Sequence, residues 1–294
     1  MPVRAGLGPA VRVRREDSGF VGKGKVIAHR GASADAPENT LAAVTLAVDH
    51  GADFVEIDVR RTLDGELVVI HDPTLQRTTD VLRVIPGRAR YDVAGFTLAE
   101  IRALDAGSWF GPGFAGERVP TLQEVLAALA GRAGLLLEVK DPASAPGIAE
   151  DLRSVLDAAG WLGEAPAGRL VVQSADWTFV KEFHLLLPEV PVGLLGGPPP
   201  PPEIDGAAGW AHCINPKNTK VTAALVRRVH GGGMVLWPYT VDNPRRMREL
   251  IQLGADGIIT NRPALAAEVL AAEPVLSRLR RLRRFLAGLV RTGR

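Results

Sequence analysis

The chain has 294 residues, of which 46% are hydrophobic and 23% are charged, a balance that is ordinary for a globular protein. Its one cysteine, Cys213, excludes an internal disulfide, and no run of about eighteen apolar residues is present, which excludes a transmembrane helix. Because the N-terminus also has no apolar segment of signal-peptide length, we expect a cytoplasmic protein.

Charge is unevenly distributed along the chain. Residues 275–294 hold seven arginines and no acidic residue, and the first 25 residues hold six Lys or Arg. The part between them carries 22 basic and 31 acidic residues, which argues against a nucleic-acid-binding groove in the body of the protein. The basic termini are compatible with an anionic surface as a partner.

The predicted elements begin after a loose N-terminal arm, 1–24. The first strand, 25–29, is apolar and is followed by a helix that either Asn39 or Thr40 can cap. This helix is expected to end at His50, because a glycine follows it directly.

A second strand, 53–60, is followed by turn residues at 63–65 and by a short returning strand at 66–71. Residues 72–118 are irregular apart from a short helical piece at 98–104. A long insertion after a barrel strand usually belongs to the functional face, so we expect this one to cap the site.

Strands and helices then alternate to the end of the predicted domain, 25–274. The further strands are predicted at 135–140, 170–174, 192–195, 212–215, 235–239 and 257–260. The further helices are predicted at 122–130, 147–159, 177–187, 222–230, 244–253 and 263–272. Without the returning strand there are eight strands, and their alternation with helices predicts an α/β fold, a (β/α)8 TIM barrel.

Two segments depart from this alternation. The run Pro198–Pro202 holds five consecutive prolines, which we expect to be extended and not helical. Residues 275–294 place apolar side chains at three- and four-residue steps between arginines, which predicts an extra C-terminal amphipathic helix. Such a helix can lie on an anionic membrane, or its apolar stripe can pack on the barrel or on a second subunit.

Charged residues interrupt the apolar strands at a few positions. Glu56 and Asp58 are two apart on one strand, so their carboxylates share a face and repel unless a proton or a cation lies between them. A hard divalent cation is the usual solution. His29 ends the first strand, and the hairpin turn brings His71 roughly opposite Glu56. A metal with two such acid/base groups beside it suits hydrolysis of a phosphate ester.

A similar pair occurs on the next predicted strand, where Glu138 and Lys140 are two residues apart. An acid and a base within an apolar strand are costly unless they are paired or used. Taken alone, these two residues are compatible with a buried structural ion pair as well as with a functional site.

Five short motifs lie within fewer than fifty residues. They are His29-Arg30-Gly31-Ala32, Pro37-Glu38-Asn39-Thr40, Glu56-x-Asp58, Thr62-x-Asp64-Gly65 and His71-Asp72. In this order and spacing they resemble the glycerophosphodiester phosphodiesterase family. The resemblance extends over about residues 25–270. It implies a TIM barrel, a divalent metal ion, Mg²⁺ or Ca²⁺, and two catalytic histidines, His29 and His71.

The resemblance also implies further roles. Glu56, Asp58 and Glu138 are the expected metal ligands, while Arg30 and Lys140 are expected to contact the phosphate. With a divalent metal and a phosphodiester bound, the charges of this set balance. Metal ligation by one of the histidines is the lesser alternative to their acid/base role.

Three other positions bear on the substrate. Asn39 either caps the following helix or contacts the substrate. Tyr239 stands where the family usually has tryptophan, and Asp242 stands where it has asparagine. We therefore expect Tyr239 to contact the substrate in a leaving-alcohol pocket whose shape differs from the usual one.

The function that the resemblance implies is metal-dependent hydrolysis of a glycerophosphodiester, a small-molecule substrate, to glycerol 3-phosphate and an alcohol. One histidine would accept a proton from the nucleophile, which is water or the substrate's own 2-hydroxyl, and the other would protonate the leaving alcohol. The alternatives are a lysophospholipase-D-like reaction on a monoacyl lipid and a non-catalytic barrel that binds a phosphorylated ligand.

Overall fold

The structure is a computed structural model that describes residues 24–162, 169–197 and 200–272. The predicted arm, 1–24, apart from its last residue, and the predicted C-terminal helix, 275–294, lie outside the described residues. None of the helices in the described part is long and apolar enough to cross a membrane.

Strands and helices alternate through the described ranges. The strands are β1 (Lys25–His29), β2 (Phe54–Arg61), β3 (Leu67–Val69), β4 (Gly134–Val139), β5 (Leu170–Ser174), β6 (Val192–Gly196), β7 (Cys213–Pro216), β8 (Val235–Leu236) and β9 (Gly257–Thr260). The helices are α1 (Leu41–Asp49), α2 (Val81–Val84), α3 (Leu98–Arg102), α4 (Leu122–Leu129), α5 (Ile148–Ala158), α6 (Trp177–Leu186), α7 (Pro201–Ala207), α8 (Ala223–Gly231) and α9 (Pro244–Leu253), followed by a helical segment at 263–272.

Eight parallel strands form a nearly closed barrel, which confirms the predicted TIM barrel. Their hydrogen-bonded order is β8-β7-β6-β5-β4-β2-β1-β9, while β3 pairs with β2 in antiparallel orientation. Backbone hydrogen bonds also join the two ends of this order, from Asp256 N to Leu236 O and from Ile259 N to Pro238 O, each 3.0 Å long. Pro238 has no N–H to donate, which interrupts the regular ladder at this seam.

The direction of the strand side chains places the site. Val55, Ile57 and Val59 of β2 belong to the large cluster that includes residues of the surrounding helices. The inner cluster fills the barrel and consists of Ile27, Phe54, Leu136, Val171, Cys213, Val235, Trp237 and Ile259. Because alternate strand residues share a face, Glu56 and Asp58 continue the inner row of Phe54 toward the C-terminal end of the barrel.

The insertion after β3, 72–118, has an apolar core of its own. Its larger buried apolar side chains pack with residues of the returning strand and are Leu75, Val81, Tyr91, Val93, Phe96, Ile101 and Leu104. The predicted piece 98–104 is present as α3, whereas α2 was not predicted. That this insertion caps the site remains a prediction, although its first residues follow His71 directly.

The proline run departs from its prediction. Pro201 and Pro202 form the first turn of α7, and Pro200, with φ −51° and ψ 148°, is the extended residue before it. Proline is accepted in a first helical turn because the N–H groups there have no intrahelical partner. The expectation of a wholly extended run was therefore wrong for its last two residues.

Candidate active site

Three buried carboxylates meet inside the barrel mouth. Asp58 of β2 and Glu138 of β4 are register partners on neighbouring strands, and Glu56 lies two residues before Asp58 on the same face. One carboxylate oxygen from each residue lies within 4.8 Å of the others. The structure thus brings together the three residues predicted as metal ligands.

The concentration of negative charge perturbs these carboxylates. Burial, with the charges of Asp58 and Glu138, raises the pKa of Glu56 well above its usual value. Burial and the charge of Asp58 raise the pKa of Glu138 to about 7. Burial opposes the ionisation of Asp58, but Arg30 and Lys140 together hold its pKa below the usual value.

The oxygens of this cluster fit a hard divalent cation. Glu56 Oε1 and Asp58 Oδ1 are buried and have no hydrogen-bond partner among the described residues. Buried carboxylate oxygens without a partner are costly, and oxygen ligands are those that Mg²⁺ and Ca²⁺ prefer. The donor set therefore agrees with the predicted metal.

Arg30 contacts two of the three carboxylates. Its backbone N–H donates to Glu56 Oε2 at 2.8 Å, and its Nε lies 3.2 Å from Asp58 Oδ2. Arg30 holds a left-handed conformation, with φ 58°, which turns the chain directly after β1. Gly31, at φ 81°, fits against the start of α1, where an added Cβ would lie 2.5 Å from the carbonyl carbon of Ala43.

Lys140 lies at the end of β4 and supplies a second cation. Its Nζ donates to Glu138 Oε1 at 2.6 Å and lies 3.5 Å from Asp58 Oδ1. The Glu138–Lys140 ion pair considered from the sequence is therefore present. It lies within the carboxylate cluster, so the pair and the predicted site are one arrangement.

His29 has a neutral hydrogen-bond partner. Its Nδ1 lies 2.7 Å from Asn261 Oδ1, while Asn261 Nδ2 donates to Asp242 Oδ2 at 2.7 Å. The carboxylate of Asp242 accepts from the Asn261 amide nitrogen, so the amide oxygen of Asn261 faces His29. An amide oxygen can only accept a hydrogen bond. The proton of neutral His29 is therefore on Nδ1. Burial lowers the pKa of His29 to about 4, so the ring is neutral near pH 7.

His71 has a charged partner. Its Nδ1 lies 2.7 Å from Asp72 Oδ1, and its backbone carbonyl accepts from Arg60 Nε at 2.9 Å. Burial lowers the pKa of His71, whereas Asp58 and the hydrogen bond with Asp72 act in the opposite direction. The two predicted catalytic histidines are thus held by different kinds of group.

Comparison with known proteins gives the family. Residues 29–265 match the model of the glycerophosphoryl diester phosphodiesterase family. The chain belongs to this family. It is therefore a phosphoric diester hydrolase. The glycerophosphodiester phosphodiesterase of Caldanaerobacter subterraneus is 37% identical to this chain over 247 residues, and the match covers 81% of this chain and 94% of that protein. A Bacillus subtilis glycerophosphodiester phosphodiesterase is 35% identical over 257 residues, covering 83% and 85%.

Solved structures agree with this membership of the glycerophosphoryl diester phosphodiesterase family. An Oleispira antarctica phosphodiesterase, solved in complex with the product sn-glycerol-3-phosphate, superposes with a TM-score of 0.75 at 28% identity, covering 84% of this chain and 96% of that one. The glycerophosphodiester phosphodiesterase of Agrobacterium tumefaciens gives a TM-score of 0.68 at 31% identity, covering 83% and 99%.

Asn39 contacts the carboxylate cluster and does not cap α1. Thr40 is the N-cap, since its hydroxyl accepts from Ala43 N at 3.2 Å. Asn39, at φ 60°, instead donates through Nδ2 to Asp58 Oδ2 at 2.8 Å. Of the two roles left open for Asn39, capping was therefore wrong, and substrate contact remains a prediction.

Tyr239 lies at the same end of the barrel. It is paired with Lys217 in a single parallel bridge beyond the end of β8. Burial raises the pKa of Tyr239, with a smaller contribution from the charge of Glu138. Its predicted contact with the leaving alcohol remains a prediction.

Several residues around the site were not predicted from the phosphodiesterase motifs. They hold the predicted residues in place and are Glu38, Arg60, Asp72, Arg77, Asp242 and Asn261. Glu38 and Asp72 lie within the quoted motifs, which was the available signal for these two. Asn261 and Arg77 could not be paired with their partners without the fold, since Asn261 is 232 positions from His29.

Proposed function

We propose that this family member hydrolyses glycerophosphodiesters to glycerol 3-phosphate and an alcohol in a metal-dependent reaction. The observation that supports it best is the meeting of Glu56, Asp58 and Glu138 beside two histidines in a barrel of this family. The related Oleispira antarctica enzyme holds sn-glycerol-3-phosphate as its product, which supports the same retained group here.

Glu56, Asp58 and Glu138 would hold the divalent ion, Mg²⁺ or Ca²⁺. When bound, such an ion polarises the phosphoryl oxygens of an ester. Arg30 and Lys140 each contact Asp58. We assign both to binding of the phosphate oxygens. Together with the three carboxylates and a divalent metal, their charges leave a net charge of about +1, which one phosphodiester group balances.

We assign the acceptance of a proton to His29. In the neutral ring Nδ1 carries the proton toward Asn261, so Nε2 keeps the lone pair that can take a proton from the nucleophile. We assign proton donation to His71, because the carboxylate of Asp72 opposes the lowering of its pKa by burial and so supports the imidazolium form, whereas the partner of His29 is a neutral amide. Tyr239 would line the pocket for the leaving alcohol.

The first test is metal removal. Exhaustive chelation should abolish hydrolysis of glycerophosphocholine and of glycerophosphoglycerol, and added Mg²⁺ or Ca²⁺ should restore it with glycerol 3-phosphate as a product. Glu56→Gln should lack both the activity and the rise in Tm that metal produces in the parent protein, because the ligand set is then incomplete.

Two results would contradict this proposal. Full turnover after chelation would rule out the metal role, and the absence of turnover with every glycerophosphodiester, with metal present, would rule out the substrate. Including lysolipids in the same panel separates the lysophospholipase-D-like alternative, which predicts that a monoacyl lipid is the better substrate. A purely binding barrel would turn over none of them.

A further inference from the structure

Arg77 joins two carboxylates through both edges of its guanidinium group. Its Nε donates to Asp72 Oδ2 at 2.6 Å and its Nη2 donates to Asp72 Oδ1 at 3.0 Å. On the other side its Nη1 and Nη2 donate to Glu38 Oε2 and Oε1 at 2.8 and 2.7 Å. Glu38 follows β1 and Asp72 follows β3, so one side chain of the insertion connects two segments of the barrel mouth.

The Asp72 side of this bridge leads to His71. Asp72 Oδ1 accepts from Arg77 and also lies 2.7 Å from His71 Nδ1. The hydrogen bonds from Arg77 are the largest influence that holds the pKa of Asp72 far below its usual value. Asp72 is therefore an ionised acceptor, which places a proton on His71 Nδ1 and directs Nε2 away from Asp72.

The Glu38 side of the bridge leads to Arg30. Glu38 Oε1 accepts from Arg30 Nη1 at 2.9 Å, and Arg30 Nε lies 3.2 Å from Asp58 Oδ2. The Glu38 side chain is only 13% exposed, so it is a fixed point rather than a mobile surface acid. Arg77 is thus held at one edge by the Arg30 segment and itself holds Asp72 at the other.

We propose that Arg77 is a positioning residue for catalysis, which fixes His71 in orientation and tautomer through Asp72. This rests on the proposed function, in which His71 gives a proton to the leaving alcohol. Arg77 itself bonds only to the two carboxylates among the described residues.

The magnitude of the effect separates this role from ordinary stabilisation. The Arg77 side chain is 43% exposed, and ion pairs at such exposure contribute little to stability. A general acid that is lost costs about 10²–10⁴ in rate. Removing the bridge should therefore change Tm little and change turnover much more.

The geometry also requires arginine and excludes lysine. Four donor contacts from one planar group reach two carboxylates at once, which a lysine ammonium cannot reproduce with the same directions. Arg77→Lys should consequently recover only part of the activity that Arg77→Met loses.

The test compares Arg77→Met with His71→Ala on two substrates, a glycerophosphodiester with a poor leaving group and a nitrophenyl ester of glycerol phosphate. We expect Arg77→Met to lower kcat on the first substrate by about tenfold or more, a smaller loss than the roughly 10²–10⁴-fold expected when the general acid itself is removed. Its ratio of activities on the two substrates should shift in the same direction as that of His71→Ala. Arg90→Met is the matched control, because Arg90 lies on the same insertion, is 83% exposed and, within the described part of the chain, bonds only to Asp92.

A second readout is independent of turnover. The Nδ1–H proton resonance of His71 in NMR spectra, identified by its loss in His71→Ala, should be lost or displaced in Arg77→Met and unchanged in Arg90→Met. The proposal is overturned if Arg77→Met keeps this resonance, or if it lowers activity on both substrates by the same factor. If His71→Ala itself proves fully active, the proposed acid role fails, while the resonance still decides whether Arg77 positions His71.

Discussion

At the residue scale, the two histidines differ in the atom that accepts from Nδ1. His29 faces the amide oxygen of Asn261, whereas His71 faces the carboxylate of Asp72. An amide oxygen carries no net charge and leaves burial to keep His29 neutral, whereas the negative charge of a carboxylate stabilises the imidazolium form. The sequence alone did not distinguish the two roles, because the partner of His29 comes from the end of β9 and is brought close only by barrel closure.

This difference predicts distinct responses to substitution. His29→Ala and His71→Ala should each lower kcat on a glycerophosphodiester by about 10²–10⁴-fold, with metal binding retained. A nitrophenyl leaving group needs little protonation, so it should restore much of the turnover of His71→Ala but not of His29→Ala. Steady-state kinetics with both substrates checks this, and rescue of His29→Ala alone would reverse the assignment.

At the element scale, the pairing of β2 with β4 brings like charges together. Neighbouring parallel strands place Asp58 beside Glu138, with Glu56 on the same face, in a buried setting. Burial and like charge both favour a proton on Glu56 and Glu138 when no cation is bound, whereas Arg30 and Lys140 keep Asp58 ionised. Burial and the charge of Asp58 therefore raise the pKa of Glu138 to about 7.

The raised pKa of Glu138 predicts that the stability of the metal-free protein depends on pH. A carboxyl group whose pKa is raised on folding binds more protons in the native state, so its contribution is favourable at low pH and is lost as pH rises from about 4.5 to about 7. The metal-free parent should therefore lose stability relative to Glu138→Gln over this range. Denaturant unfolding of both proteins at several pH values measures the difference, and an opposite or absent trend would contradict the raised pKa.

At the scale of the whole molecule, the charged termini remain outside the described structure. We propose that residues 275–294 attach the protein to anionic membranes, since seven arginines accompany an apolar stripe of helical period in this sequence. Each basic residue near an anionic surface contributes about 1 kcal/mol of binding free energy, so several arginines together are enough for attachment at low salt. The cytoplasmic location stays a prediction.

Co-sedimentation with vesicles tests this attachment. The full chain should bind anionic vesicles, should bind neutral ones poorly and should dissociate as salt is raised, because the attraction is electrostatic. Deletion of 275–294 should remove the binding while hydrolysis in solution and the circular dichroism spectrum persist. If the deletion leaves vesicle binding intact or unfolds the barrel, the segment belongs to the fold and the membrane proposal is wrong.

The sequence by itself predicted the barrel and the meeting of the three carboxylates, because strand period and short motifs act over a few residues. It also singled out the two histidines, whose catalytic roles remain predictions. The prediction of an extended proline run was wrong for Pro201 and Pro202, since a proline in a first helical turn lacks only an N–H group that has no partner there. Tertiary structure alone decided the contacts between distant segments. Asn261 with His29 and Arg77 with Glu38 meet because closure of the barrel and folding of the insertion bring together residues far apart in the chain.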